Sequence, residues 1–134
     1  MQTQYTVVLK NDDGDLQRLA AALAAEEASL YGLSWRTEGD LGVVRFIAAD
    51  EEAVERAVAS MGSRAVRTPV LSVPMATRAS DLGRMLKLLE QGGVRAQALY
   101  GSSDRLGSWR LVVCADRPER AEKLLGAFSE TLSL

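Results

Sequence analysis

Two polar clusters are the parts of this sequence best suited to binding chemistry. The first is Asn11-Asp12-Asp13-Gly14-Asp15-Leu16, and the second is Thr77-Arg78-Ala79-Ser80-Asp81-Leu82. Each cluster separates a β-forming run from a helical pattern, so each predicts the turn in front of a helix. The first N–H groups of a helix lack partners inside the helix and favour an anion such as a carboxylate. The simpler interpretation is a solvated turn whose Asp or Ser only caps the helix.

The two clusters differ in charge. Three Asp residues in the first cluster would repel a carboxylate, whereas the second offers the Arg78 cation, the Ser80 hydroxyl and the Asp81 carboxylate. The second cluster is therefore the better predicted site for a zwitterion. The first cluster also resembles the beginning of a calcium loop, but its twelfth position is Ala22, whereas such a loop ends in a bidentate Glu. We therefore predict no metal site.

The absence of His weighs against catalysis. None of the 134 residues is His, which removes the commonest general base and the commonest metal ligand. No paired carboxylates and no nucleophile with an adjacent base are evident in the sequence. The sequence therefore predicts a protein that is not an enzyme and that needs no cofactor.

Composition also limits the partners. A net charge of -2 and an aromatic content of 5% argue against a nucleic-acid partner, which would need a basic surface. No apolar run approaches the roughly 20 residues that cross a bilayer, so no membrane partner is predicted. The single cysteine, Cys114, lies in an apolar run and predicts a buried thiol in a cytoplasmic protein.

An internal repeat organises the chain. Asp15-Leu16-Gln17-Arg18-Leu19 matches Asp81-Leu82-Gly83-Arg84-Met85, and the run from Leu41 to Ile47 matches the run from Leu106 to Val112. The offset is 66 residues before the hairpin turn and 65 after it. The repeat predicts two units, residues 1–68 and 69–134.

Each unit has the same predicted elements. In the first, a strand ends at Lys10, a helix carries the stripe of Leu16, Leu19 and Leu23, and a hairpin follows in which Tyr31, Leu33 and Trp35 share one face. Between Ala65 and Met75 we expect two strands divided at Pro69, and we expect a stunted last strand after Phe128. This order predicts an α+β fold with helices on one face of an antiparallel sheet.

Four stretches in this order resemble the ACT-domain family, in particular its small proteins of two repeats. They are residues 7–16, 41–47, Val70-Leu71-Ser72-Val73-Pro74-Met75, and Ala98-Leu99-Tyr100. The resemblance implies two tandem ferredoxin-like βαββαβ (ACT) units, which pair edge to edge. It also implies a ligand, commonly an amino acid, where the first strand–helix turn of one unit meets its neighbour.

The resemblance assigns ligand-binding roles to both polar clusters and to Leu99 and Tyr100. A buried tyrosine with a satisfied hydroxyl is the alternative for Tyr100. The family's Pro-Gly before the first helical Leu is Asp13-Gly14-Asp15 in the first unit and Ala79-Ser80-Asp81 in the second. The predicted function is an amino-acid-binding regulatory protein that forms a homodimer. The alternative is an ACT-type interaction or oligomerisation module without a ligand.

Overall fold

The computed structural model describes residues 1–10, 14–75, 79–103 and 109–131. These residues divide into two compact units, Gln2–Thr68 and Pro69–Leu134, the second including Met1. The elements are β1 (Gln2–Lys10), α1 (Asp15–Ala25), β2 (Leu30–Glu38), β3 (Leu41–Ala48), α2 (Glu51–Ser60), β4 (Val66–Met75), α3 (Ala79–Gln91), β5 (Ala96–Ser103), β6 (Trp109–Ala115) and α4 (Pro118–Thr131).

In the first unit, three antiparallel strands form a sheet in the order β2-β3-β1. Alternate residues of β1, beginning with Tyr5, are buried, because successive strand residues point to opposite faces and helices cover one of them. Tyr5 stacks on Phe46 with ring centroids 5.6 Å apart. Leu19 and Leu23 of α1 and Val54, Ala57 and Val58 of α2 complete the core.

The second unit repeats this plan with the strand order β4-β6-β5. Its core takes every second residue of β6, among them Leu111 and Val113, together with Met85 and Leu89 of α3 and Leu125 of α4. The α+β fold predicted from the sequence is confirmed. In the part of the chain that the structure describes, α4 continues through Phe128 to Thr131 and is the last element of this unit, so the stunted strand that we expected after Phe128 is not found there.

Two local expectations were wrong. Val66–Met75 is one continuous strand, β4, where we predicted two strands divided at Pro69. Proline lacks an N–H but its φ suits extended backbone, so it does not have to end a strand. In β2 the pairing register shifts between Leu30 and Gly32, which leaves Tyr31 as a bulged residue. Leu30 therefore replaces Tyr31 on the face that Leu33 and Trp35 share.

Three of the helices end in the same way. The residue after the cap has a left-handed backbone: Glu27 after α1, Gly62 after α2 and Gly93 after α3, with φ of 55°, 72° and 74°. In each case the following N–H bonds back to a carbonyl inside the helix, for example Ala28 N–H to Leu23 O at 3.0 Å. This is the Schellman motif, which favours glycine at that position. Only the first of the three positions carries a side chain.

A tryptophan in each unit packs on a glycine of the neighbouring strand. A Cβ added to Gly42 would lie 1.9 Å from the Trp35 ring, and a Cβ added to Gly101 would lie 3.2 Å from the Trp109 ring. Because each glycine has no side chain, there is room for the indole ring of the neighbouring strand, which covers the edge of the core of its unit.

In the part of the chain that the structure describes, no helix is long and apolar enough to span a membrane.

We expect Gly42→Ala to lower the free energy of unfolding by about 1–3 kcal/mol, because the new methyl group must displace the Trp35 ring. Gly83→Ala is the matched control. No atom lies within 4 Å of a Cβ at this helical position, so the change should raise stability by up to about 1 kcal/mol. Urea unfolding measures both. A Gly42→Ala protein as stable as the unmodified chain would contradict the packing.

Candidate functional site

Part of each predicted cluster lies within the described residues. Asn11, Asp12, Asp13, Thr77 and Arg78 lie outside them, so no arrangement is assigned to these five. Gly14, Asp15 and Leu16 begin α1, and Ala79, Ser80, Asp81 and Leu82 form the first turn of α3. Leu99 and Tyr100 lie on β5. The two helix starts are therefore the places where a site can be tested.

At the start of α1 both oxygens of the Asp15 carboxylate accept hydrogen bonds. Its Oδ2 accepts the backbone N–H of Lys10 at 3.1 Å, and its Oδ1 accepts from the guanidinium of Arg18, one helical turn later. Gly14 is the N-cap residue, and a Cβ there would meet the Arg18 guanidinium. Asp15 thus ties the end of β1 to the first turn of α1, and Arg18 lies across that turn.

Arg18 also controls the protonation of Asp15. The hydrogen bond from Arg18 is the main cause that holds the pKa of Asp15 below its ordinary value of 3.8, and the Lys10 N–H contributes in the same direction. Desolvation acts in the opposite direction but is the weaker effect. Both oxygens of this carboxylate already accept hydrogen bonds, so a ligand's ammonium group would have to compete with Arg18 and with the Lys10 N–H.

A cleft of about 590 Å³ adjoins this turn. The end of β1, the start of α1 and the end of α2 form it, and its lining residues are Val8, Leu9, Lys10, Asp15, Arg18, Leu41 and residues 60–63. Of the predicted site residues that the structure describes, only Asp15 is among them. The contribution from the end of α2 could not be predicted from the sequence, because it depends on how the two helices pack.

At the start of α3 the equivalent carboxylate is in a different state. Asp81 is 4% exposed, and its Oδ1 accepts from the Arg84 guanidinium at 2.8 Å. Its Oδ2 is buried and has no hydrogen-bond partner among the described residues. A buried acceptor without a donor costs about 1–3 kcal/mol. The first turn of α3 therefore holds a buried acceptor for which the described residues supply no donor.

The remaining predicted residues near this turn differ in position. Ala79 and Ser80 are exposed, and Leu82 packs against the core. Leu99 and Tyr100 are in register with Val113 and Val112, so they point to opposite faces of the sheet. Ser103 of β5 and Met75 at the end of β4 both pair with Trp109, so they lie in one row across the sheet. Tyr100 lies three residues before Ser103 and is therefore about 10 Å along the strand from that row. One ligand at the turn would not contact both side chains from within this unit.

A second cleft, of about 480 Å³, lies at the other end of α3. It is lined by Leu86, Leu89, Glu90, Gly93, Val94, Arg95, Ala96 and Asp116, none of which we predicted as a site residue. Within this cleft the Asp116 carboxylate accepts the Arg95 N–H at 2.9 Å.

Within residues 1–10, 14–75, 79–103 and 109–131, no group of three or more His, Cys, Asp or Glu side chains is placed to hold a metal ion.

The Asp15–Arg18 pair makes a pH-dependent contribution that can be measured. We expect the Asp15 carboxyl carbon to titrate below pH 3.8 in an NMR experiment, and Arg18→Gln to move the midpoint up towards 3.8. Because the folded pKa is lower than the unfolded one, this stabilisation is present above pH 3.8 and is lost as the pH falls through the folded pKa. Equal midpoints in the two proteins would show that Arg18 does not bind Asp15 in solution.

Comparison with known proteins identifies the fold. No protein-family model and no curated protein matches the chain. A solved structure from Bacteroides thetaiotaomicron is 21% identical, with a TM-score of 0.85 over 94% of this chain and 87% of that one. The ligand-free regulatory subunit of aspartate kinase from Thermus thermophilus is 16% identical, with a TM-score of 0.67 over 95% and 92% of the two chains.

The regulatory subunit of aspartate kinase from Thermus flavus gives a similar result. It is 18% identical, with a TM-score of 0.69 over 96% of this chain and 91% of that one. At these identities the likeness establishes the fold, and the fold agrees with the resemblance on which the sequence prediction rested. The chain therefore has the ACT-type fold, in two tandem α+β units.

Proposed function

We propose that this protein is a non-enzymatic regulatory protein that binds a small ligand with an ammonium group, an amino acid, at the start of α3. The observation that carries the proposal is the buried Oδ2 of Asp81, which has no donor among the described residues. An ammonium group carries three N–H donors and a positive charge, so it is the natural partner for such an oxygen.

The same helical turn suits the other end of an amino acid. The first N–H groups of α3 have no acceptors within the helix, and the helix dipole favours a carboxylate there. The exposed Ser80 adds a hydroxyl that can donate to the same carboxylate. Arg84 holds Oδ1 of Asp81 and thereby fixes the orientation of the carboxylate before a ligand arrives. A pre-oriented acceptor loses less conformational entropy on binding.

The first unit is the weaker candidate. Both oxygens of Asp15 already have partners, the Lys10 N–H and Arg18. A ligand's ammonium group would have to displace them, and the acidic composition of residues 11–15 disfavours a ligand carboxylate. The two units therefore have unequal sites, and we expect one ligand per chain.

The similarity of this fold to regulatory subunits of known structure is in agreement with a regulatory role. Two of the structures with this fold are regulatory subunits of aspartate kinase, and the family that the sequence resembles commonly binds amino acids. A ligand regulates by binding one arrangement of a protein more tightly than another, and its effect is limited by that difference. The proposal includes a homodimer, since the end strands of such sheets require a partner or protection.

Isothermal titration calorimetry with pools of amino acids, and then with the members of any active pool, tests the ligand. We expect saturable heat at one site per chain. Asp81→Asn keeps the size of the side chain but removes its charge, and it should weaken binding roughly 10- to 100-fold, the value of a hydrogen bond to a charged group. Asp15→Asn, the change at the equivalent position of the first unit, should alter the affinity less than about twofold.

Three outcomes would count against this assignment. Absence of heat with every pool, in a protein that circular dichroism shows to be folded, would exclude amino acids as ligands. Heat that is lost in Asp15→Asn and kept in Asp81→Asn would move the site to the first unit. Equal losses in both variants would contradict the unequal sites.

A ligand-free interaction module is the second candidate function. The observation in its favour is the apolar edge of β2, where Leu30, Tyr31 and Leu33 are exposed. This candidate predicts self-association without any amino-acid binding. Sedimentation velocity and calorimetry on the same sample separate the two functions.

A further inference from the structure

The helices of the first unit pack on one face of its sheet, and part of the opposite face carries exposed apolar side chains. Core residues such as Val7 and Val44 point towards α1 and α2, so their strand neighbours point away from the helices. Six of the residues that point away lie next to one another in the register of β1, β3 and β2, and we call them the outer face: Val8, Lys10, Leu41, Val43, Arg45 and Arg36.

The centre of the outer face is apolar. Val8 is opposite Val43 in the register, and Leu41 lies two residues before Val43 on the same strand. Val8 and Leu41 are 53% and 51% exposed, and Val43 is partly buried. Exposed apolar side chains that adjoin one another mark a binding surface more often than isolated ones do.

Cations surround this apolar centre. Lys10 is opposite Leu41, Arg36 is opposite Val43, and Arg45 lies on the next row. Within the described residues, Arg36 is the one member of the three with an ion pair, which it makes with Glu38 at 2.8 Å. Both side chains of that pair are largely exposed, so it contributes little and is easily exchanged for another carboxylate.

The charge of the outer face is opposite to that of its unit. Residues 2–68 contain seven Lys and Arg and eleven Asp and Glu, so the unit has a net charge of -4. Three of the seven cations nevertheless lie on the outer face, and Glu38 is the one carboxylate on the same described rows. Cations gathered around an apolar surface of an acidic unit favour a partner with complementary negative charge.

The net charge of the unit also limits the size of that partner. An extended anionic surface, such as a membrane or a nucleic acid, would meet the acidic remainder of the unit and be repelled. A second copy of the chain, docked through the same face, would bring cations against cations. A short acidic segment of a protein contacts the outer face alone and avoids both kinds of repulsion.

A recess adjoins the outer face. Val8, Lys10 and Leu41 also line the cleft of about 590 Å³, whose other side is formed by Met61 and its neighbours at the end of α2. Such a recess can hold one large apolar side chain of a partner, and buried anchors of this kind supply most of the affinity of an interface. An amphipathic helix carries apolar side chains in one row and is the element that usually covers the face of a sheet.

We propose that the outer face of the first unit binds an acidic amphipathic helix of a partner protein. The apolar row of that helix covers Val8 and Leu41, and its flanking carboxylates pair with Lys10 and Arg45. A regulatory protein acts on a partner, and the outer face supplies the surface for one. The inference goes beyond the proposed function and does not depend on the ligand at the start of α3.

Fluorescence anisotropy on the full chain, with a labelled synthetic helix of about 18 residues, measures this binding. The acidic peptide has leucines along one face and glutamates on both sides of them, and a basic peptide has lysine in place of each glutamate. We expect the acidic peptide to bind saturably and the basic peptide to bind at least about tenfold more weakly.

Two matched variants locate the surface. Val8→Glu places a carboxylate in the apolar centre and should weaken binding of the acidic peptide at least about tenfold. Leu86→Glu makes the same kind of change at an exposed leucine of α3 in the second unit and should leave the affinity unchanged. Circular dichroism confirms that each variant is folded.

Charge reversal tests the complementarity. Lys10→Glu combined with Arg45→Glu should weaken binding of the acidic peptide and strengthen binding of the basic peptide, each at least about tenfold. Lys10→Glu alone alters one exposed side chain and should move both affinities in the same directions by about threefold. The single variant keeps the test decisive where the double variant does not fold.

Each contrary result overturns a definite part of the inference. Equal binding of the two peptides, or binding of neither by the folded chain, would exclude an acidic helix as the partner. Binding that is lost in Leu86→Glu and kept in Val8→Glu would exclude the outer face. Binding to phosphatidylserine vesicles without binding to the acidic peptide would assign the surface to a membrane. Calorimetry with amino acids decides the ligand separately, so the two proposals can fail independently.

Discussion

The structure depends on one constraint: in each unit, two helices must bury alternate side chains of three antiparallel strands. Tyr5 and Phe46 satisfy it in the first unit and Leu111 and Val113 in the second. Since strand residues alternate between faces, the choice of buried face determines which side chains are left outside. The constraint also fixes where α1 and α3 begin, because each helix must bring its apolar stripe over the sheet. The described parts of the two polar clusters, from Gly14 and from Ala79, lie at those helix starts.

The Asp carboxylate at the first helical turn has different hydrogen-bond partners in the two units. Both units place Asp at the first helical turn with Arg three residues later, and in both the Arg binds Oδ1 of the Asp. The difference lies at Oδ2, which accepts the Lys10 N–H in the first unit and has no described partner in the second. A carboxylate with both oxygens bonded fastens a strand to a helix, whereas a buried oxygen that has no donor among the described residues costs free energy. The two turns therefore differ in the partner of one carboxylate oxygen.

The edges of the two units have also diverged. In the first unit a bulge at Tyr31 brings Leu30 and Leu33 to one face, and a glutamate occupies a left-handed turn where the second unit has Gly93. These features lower the stability of the isolated unit, since exposed leucines and a strained backbone both cost free energy.

The sequence by itself determined the repeat, the order of elements and the α+β class, because apolar periodicity and turn residues are local signals. It also located both helix starts and showed the Asp–Arg spacing at each. It failed at Pro69, where extended backbone tolerates proline within one strand, and at Tyr31, because a bulge is decided by pairing with β3 and not by β2 itself. Only the tertiary structure decided that Oδ2 of Asp81 is buried with no donor among the described residues and that Leu33 is exposed. Burial and hydrogen-bond saturation depend on what other elements place around an atom, and no local pattern contains that information.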